Sequence, residues 1–317
     1  MKTCKSPRKV LVAAYKLAQL TLPDYSSKFS RKDFTLPQLF AGLVLREQQK
    51  KSYLGLEALL KDSPSWRAAI GLSRTPDSNT FWRAFQSLGK PRSFQPMLDR
   101  LVAEAKRRGL IRGRLQPVAL DSTMFESHHV SRHFEKRQRQ TARQNRPQDA
   151  KKRANRRRRA VHQRLPKLSL AVASASPIMV AARATTGSGG DQPFFEPLLR
   201  EAQHRAKFRA GVADAGFDSE ANHRFARQDL GVRSIIPPDA GRPTDKPPSP
   251  HYRRLMQQRF ARQADRPCYG QRWQAETVNS MLKRNLGSAL RARTARRRSK
   301  ELLLRVVTHN LMILAAA

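Results

Sequence analysis

The sequence predicts a mixed α/β domain preceded by an all-helical N-terminal domain, and three observations predict it. Apolar residues recur with helical spacing through the first hundred positions, short β-leaning runs replace them afterwards, and helical stretches lie between the later runs. The expected boundary gives a helical domain over residues 1–113 and an α/β domain over residues 114–317, which suits a chain of 317 residues with 39% apolar content.

The start, "MKTCKSPRKVLVAAYKLAQL", pairs a basic lead with a short apolar run that Tyr15 and Lys16 interrupt, so it reads as an amphipathic helix and not a signal peptide. "LPQLFAGLVLREQQ" and "YLGLEALLKDSPSWRAAIGL" follow with helical period. "SWRAAIGL" and "DSNTFWRAFQSL" read as two short helices joined by a turn, with Asp77 or Ser78 able to cap the second. A helix-turn-helix would present Asn79, Thr80 and Arg83 to DNA, and plain packing of two helices explains the same pattern. Beyond the helical "FQPMLDRLVAEAKRRGL", the period changes. "QPVALD", "KLSLAVAS", "IMVAARAT", "RAGVAD" and "VRSIIP" are the expected strands, with helices expected over "PFFEPLLREAQHRA" and "SEANHRFARQDLG". Two inserts interrupt the domain: an arginine-dense stretch over residues 131–164 and a proline-rich loop over residues 237–250. The final "ELLLRVVTHNLMILAAA" carries Arg305, His309 and Asn310 and is too broken to span a bilayer, so a core helix is expected. Trp66, Trp82 and Trp273 are expected in the core as well.

Lysine and arginine number 63 against 24 acids, a formal charge of +39 that calls for a polyanionic partner. Nucleic acid fits, and no segment has the amphipathic form a membrane surface needs. The run "KKRANRRRR", with Arg156, Arg157, Arg158 and Arg159, is either a solvated loop or a clamp on the DNA backbone. The cysteines, Cys4 and Cys268, form neither a disulfide framework nor a zinc motif, and a cytoplasmic, nucleoid-associated location is expected.

Against this charge, a few carboxylates stand out. Asp121 is expected to end the strand "PVALD" and Asp214 the strand "GVAD", at the edge where α/β folds open onto a crevice; either alone also serves as a turn-former, and Asp218 suits a capping role. On an ideal helix, Tyr269, Arg272, Glu276 and Lys283 share an arc of roughly 60° opposite an apolar side that includes Ala275, Val278 and Leu282. A solvated stripe with an i, i+4 ion pair is the alternative. Two strand-end aspartates and a helical glutamate are the donor set for Mg²⁺ or Mn²⁺, hard cations that prefer carboxylate and phosphate oxygens. Two such ions, about 3.5–4 Å apart, assist in-line phosphoryl transfer.

At this point the segment "YGQRWQAETVNSMLKR" resembles the Y-x2-R-x3-E-x6-K pattern of the DDE transposases of bacterial insertion sequences, with Tyr269, Arg272, Glu276 and Lys283 at its four fixed positions. "ALDST", "KLSLAV", "SGGDQPFFEPLL" and "VADAGFDSEANHRFA" look like the stretches around the first two acids in that group, in the same order. The resemblance implies an RNase H-like catalytic domain, a mixed sheet flanked by helices, with Asp121, Asp214 and Glu276 as catalytic, metal-binding residues for two ions. It implies that Arg272, Lys283 and the adjacent Arg284 meet DNA phosphates, that Tyr269 packs against the transposon end, and that a homodimer forms on DNA. Only the proline-rich loop lies where some members carry a β-rich insertion, so no mechanism that depends on such an insertion is carried over. The implied activity is metal-dependent strand cleavage and strand transfer at the ends of the insertion sequence. A non-catalytic DNA-binding protein, a repurposed or inactive copy, is the reading to set against it.

The charge alone generates a prediction: affinity for duplex DNA is expected to fall roughly a thousandfold between about 50 and 200 mM salt in a filter-binding titration. A flat salt response would remove the phosphate backbone as the main contact.

Overall fold

The computed structural model describes residues 3–29, 31–88, 91–111, 113, 116–128, 165–186, 189–239 and 250–317. The arginine-dense insert and most of the proline-rich loop lie outside them.

Among the described residues, six α-helices precede the first strand: α1 (Pro7–Thr21), α2 (Leu36–Gln48), α3 (Tyr53–Lys61), α4 (Pro64–Ala68), α5 (Ser78–Ser87) and α6 (Gln95–Arg107). Local chemistry sets their starts. Thr35 and Gln38 close a capping box at α2, each side chain meeting the other's backbone N–H, at 3.3 and 2.9 Å. Ser52 Oγ accepts from the Gly55 N–H at α3, and Asp77 Oδ1 from the Thr80 N–H at α5, at 2.8 Å. α1 buries Val10, Leu11, Ala14, Leu17 and Ala18 on one face, whereas α2 is buried from Leu39 to Gln48 and forms the centre of this part. Gly42 lets α5 dock there, because a Cβ at that position would lie 2.4 Å from the Phe81 ring.

The strands are β1 (Val118–Met124), β2 (Glu126–Ser127), β3 (Pro166–Ala173), β4 (Met179–Thr186), β5 (Ala210–Val212), β6 (Arg233–Ile235) and β7 (Ala289–Leu290). Five of them form one mixed sheet in the order β4-β3-β1-β5-β6; β4, β3 and β1 are antiparallel neighbours, and β1, β5 and β6 run parallel. β3 is buried along its whole length, as a central strand covered on both faces must be. β2 and β7 pair separately. The remaining helices are α7 (Gln192–Arg205), α8 (Glu220–Arg224), α9 (His251–Ala261), α10 (Arg266–Tyr269), α11 (Trp273–Leu286) and α12 (Ala295–Leu314). α7 packs on β3 and β4, α11 on β1 and β3, and α12 on β4, α2 and α6. This is the expected fold class, a mixed sheet flanked by helices after a helical N-terminal region.

Several local expectations are corrected. Asp121 lies within β1 and does not end it, since pairing with β3 carries the strand on to Met124. Tyr269, Arg272 and Glu276 do not share one continuous helix: a 3₁₀ turn at Gly270–Arg272 separates α10 from α11. Residues 69–77 separate α4 from α5, far more than the short turn of a helix-turn-helix. Trp82 and Trp273 are 41% and 55% exposed and belong to no core.

The C-terminal helix is the core helix expected, and its polar residues are matched one by one. Asn310 accepts from the Met179 N–H and donates to the Met179 carbonyl, at 3.0 and 2.9 Å, so it completes the edge of β4 as a strand would. His309 Nε2 lies 2.9 Å from the Pro177 carbonyl, and complete burial pushes its pKa down to about 4, so the ring is neutral and donates from Nε2. Arg305 donates to Glu47 of α2, to Glu301 one turn back, and to the Gly287 and Ala289 carbonyls just beyond α11. Among the described residues no helix is long and apolar enough to cross a membrane.

Arg305→Ala is expected to destabilise the protein by about 3–5 kcal/mol, because it leaves Glu47 and Glu301 buried without their shared cation. Urea unfolding measures this, and a loss under about 1 kcal/mol, the range of an exposed ion pair, would mean the cluster does not hold the fold.

Candidate active site

The parallel pairing of β1 with β5 builds the site. Ala119 stands opposite Val212, so continuing both chains by two residues sets Asp121 level with Asp214. Both carboxylates are half-buried, and burial raises both. Asp121 is pushed up to about 6, mainly by loss of solvation, with the Asp214 charge adding to it. Asp214 is raised by burial and then by Asp191, while Arg272 and Lys167 pull it back. Asp214 also accepts from the Gly216 N–H at 3.0 Å. Gly216 keeps this corner narrow: a Cβ there would come 3.1 Å from Asp214 Oδ1 and 3.3 Å from Asp191 Oδ2. Asp191 in turn pairs at 2.5 Å with Lys167, a lysine of β3 that is only 4% exposed.

α11 brings the third acid over the same strands. Glu276 is hydrogen-bonded to Arg272 in an i, i+4 ion pair, and its side chain is 53% exposed. Arg272 acts on all three acids: it pairs with Glu276, and its charge offsets part of the upward pKa shift of Asp121 and Asp214. The Tyr269 ring lies 5.9 Å from the Arg272 guanidinium and packs edge-on against Phe260. Lys283 sits 5.4 Å above the ring of the buried Phe125, at the end of α11 away from Arg272. Among the described residues no three His, Cys, Asp or Glu side chains come together as a group ready to hold a metal ion. Glu276 is instead engaged by Arg272.

The donor set nevertheless suits a hard divalent cation. Asp121 is raised by burial and by the Asp214 charge, and Asp214 by burial and by Asp191, so the half-dry site holds anionic groups that such a cation relieves, and Asp121, Asp214 and Glu276 offer only oxygen.

The turn after Asp214 is braced from below. Asp218, expected as a helix cap, is instead fully buried; Ser219 caps α8. Burial opposes its charge, but His223, the Asp239 N–H and Arg253 outweigh that and hold its carboxyl below the ordinary range. His223 then reaches Ser234 Oγ at 2.7 Å, and Ser234 also accepts from Arg227. This Ser-His-Asp array is sealed from solvent, so it ties the Asp214 turn to β6 and has no substrate access.

The other expected DNA contacts are dispersed. Asn79 and Arg83 lie exposed on one face of α5 beside Trp82, over which Arg297 stacks at 5.5 Å. Thr80, between them, is half-buried, and its hydroxyl donates to Asp77 Oδ2 as part of the helix cap. Arg284 is exposed, and its carbonyl accepts from Lys50. Arg156, Arg157, Arg158 and Arg159 lie outside the described residues.

Three residues at the site escaped the sequence reading: Lys167, Asp191 and Asn279, whose amide donates to Asp121 Oδ2 at 2.9 Å. Asn279 leaves a signal in retrospect, a polar residue on the same side of α11 as Ala275, Val278 and Leu282. Lys167 leaves another, a charge opening an apolar strand.

A family model described as "Transposase DDE domain" matches residues 112–311. No curated protein and no solved structure matches the chain.

The raised pKa of Asp121 has a measurable sign. Its folded value near 6 exceeds the ordinary unfolded one near 4, so its contribution to stability is fully present below about pH 4 and is lost as pH rises through 6. Asp121→Asn removes the charged form and is expected to stabilise the protein at pH 7.5 by up to about 3 kcal/mol, with little effect at pH 4. Chemical denaturation at the two pH values checks it; equal stability of mutant and parent at pH 7.5 would contradict the burial of this carboxylate.

Proposed function

The chain belongs to the Transposase DDE domain family, whose match spans well over half its length, and from that premise we propose that it cuts DNA at the ends of its own insertion sequence and joins those ends to target DNA. The observation that carries this reading is the parallel pairing of β1 with β5, which sends Asp121 of β1 and Asp214, two residues past the end of β5, to the same edge beneath the helix of Glu276 and next to Arg272. Asp121, Asp214 and Glu276 would hold two Mg²⁺ or Mn²⁺ ions. When bound, these ions would make the attacking oxygen a better nucleophile and neutralise the charge on the leaving one.

In the first step water attacks a phosphodiester at the element's end, the phosphorus–O3′ bond breaks, and a 3′-hydroxyl is released with a 5′-phosphate on the other side. In the second, that 3′-hydroxyl attacks a target phosphodiester and displaces its 3′ oxygen, so bond energy is exchanged and no covalent enzyme intermediate is required. The protein's own groups bind and orient. Arg272 balances the site's carboxylates while DNA is absent, and an incoming phosphate offers its guanidinium a bidentate partner that competes with Glu276. Lys283 and Arg284 extend that contact along α11, and Tyr269 packs beside the end. Asn79 and Arg83 meet DNA from α5, and Arg156, Arg157, Arg158 and Arg159 clamp the backbone. Two ends must be processed together, which calls for a homodimer on DNA. The spacing of Tyr269, Arg272, Glu276 and Lys283 supports a place in the group that shares that four-residue pattern.

The test is a nicking assay on inverted-repeat DNA with Mg²⁺ or Mn²⁺. The parent is expected to nick, and Glu276→Gln to lose nicking to background while its DNA binding stays unchanged. Undiminished cutting by the variant would refute the assignment of the acids, and binding without cleavage by the parent under any divalent metal would favour the non-catalytic reading.

A further inference from the structure

Helix α11 carries one residue at the site that the reading above leaves without a role. Asn279 follows Glu276 by three positions, but where Glu276 is exposed, Asn279 is 7% exposed, in line with the buried Ala275, Val278 and Leu282. Its Nδ2 donates to Asp121 Oδ2 at 2.9 Å. An ionised carboxylate only accepts hydrogen bonds, so the amide nitrogen and not its oxygen must face Asp121, which settles the orientation of the amide. Its Oδ1 is buried and has no hydrogen-bond partner among the described residues. A side chain present only to fasten α11 onto β1 would do better as an apolar one of the same size, which leaves no orphaned acceptor. The amide is therefore accounted for by what its nitrogen does to Asp121.

The geometry points to Asn279 as a positioning residue for Asp121: it holds the carboxylate in one rotation and in register with α11, ready for a divalent cation. A neutral donor suits this place. It stabilises the ionised carboxylate without adding a positive charge that would repel the cation, as a lysine or arginine there would. Because Asn279 and Glu276 ride on the same helix, one hydrogen bond also sets how far α11, and with it Glu276, stands from β1. The inference rests on the reading of Asp121 as a metal-binding residue.

The experiment measures Mn²⁺ binding to the full-length protein by electron paramagnetic resonance, with inverted-repeat DNA present, alongside thermal unfolding. Asn279→Leu is expected to bind Mn²⁺ at least about tenfold more weakly, the usual effect of removing the partner of a metal ligand, while its unfolding midpoint stays near that of the parent. Parental Mn²⁺ affinity in Asn279→Leu, with Asp121→Asn defective, overturns the role of Asn279 and leaves the metal reading standing. No Mn²⁺ binding by the parent overturns the metal reading itself. Should Asn279→Leu fail to fold, the side-chain amide signal of Asn279 is followed by NMR in the parent during Mg²⁺ titration. A shift that saturates with Mg²⁺ supports the role, and an unmoved signal overturns it.

Discussion

A single buried guanidinium links the parts of this molecule. Arg305 is 2% exposed, and its planar fork must find acceptors in fixed directions. It finds them in Glu47 of α2, Glu301 of α12, and the carbonyls of Gly287 and Ala289 where α11 turns into β7. The helical N-terminal part and the end of the helix that carries Glu276 are thus referred to the same cation. Glu301 extends the network by accepting from the Arg291 and Ala292 N–H groups, and Arg46 pairs with Glu47 while lying over Tyr53. Such a cluster adds little net stability over an apolar core of the same shape, since each charge has been taken out of water. What it supplies is uniqueness: a shifted α2 or α11 would strand a charge in the core. The chain thus fixes the end of the helix that carries Glu276 through a residue of another helix, α12.

The site obeys a second electrostatic constraint. In a chain with net charge +39, burial acts against the ionisation of Asp121 and Asp214, and the charges of Asp214 and Asp191 respectively add to it. The cost is offset in two ways. Lys167 and Arg272 supply nearby positive charge, and Asn279 and the Gly216 N–H donate hydrogen bonds without any. Of these, Arg272 is the most open to exchange, since it lies near the surface in an exposed i, i+4 pair. The rest of the scaffold around Asp214 is rigid by comparison: Asp218, His223, Ser234 and Arg227 form a closed buried chain of hydrogen bonds under the turn.

Much of this was written locally in the sequence. The periods of the apolar residues located the helices and the five strands of the sheet, because side chains separated by one helical turn or by two strand positions report directly on which face is buried. The capping signal at Asp77 acts over three residues and was equally readable, as was the character of the C-terminal helix. The two aspartates stood out because a carboxylate at the close of an apolar run has few reasons to be there. The spacing from Tyr269 to Lys283 singled out Glu276 and the cations Arg272 and Lys283 as a set.

Tertiary structure decided the rest, in each case because the deciding partner is remote in the chain. That Asp121 and Asp214 stand level depends on the register of β1 against β5, and that Asp121 sits inside its strand depends on β3. That Asp218 is a buried hub and no cap depends on Arg253, 35 positions away. Trp82 and Trp273 read as core because they are large and apolar, but no neighbouring element covers them. Asn279 read as one more polar residue until folding brought it to a carboxylate 158 positions earlier. The sequence by itself determined which elements form and which acids are out of place, since those properties are carried by neighbours along the chain. Only the folded molecule decided how the acids are oriented, buried and paired, since those properties belong to contacts that the chain makes with itself across long loops.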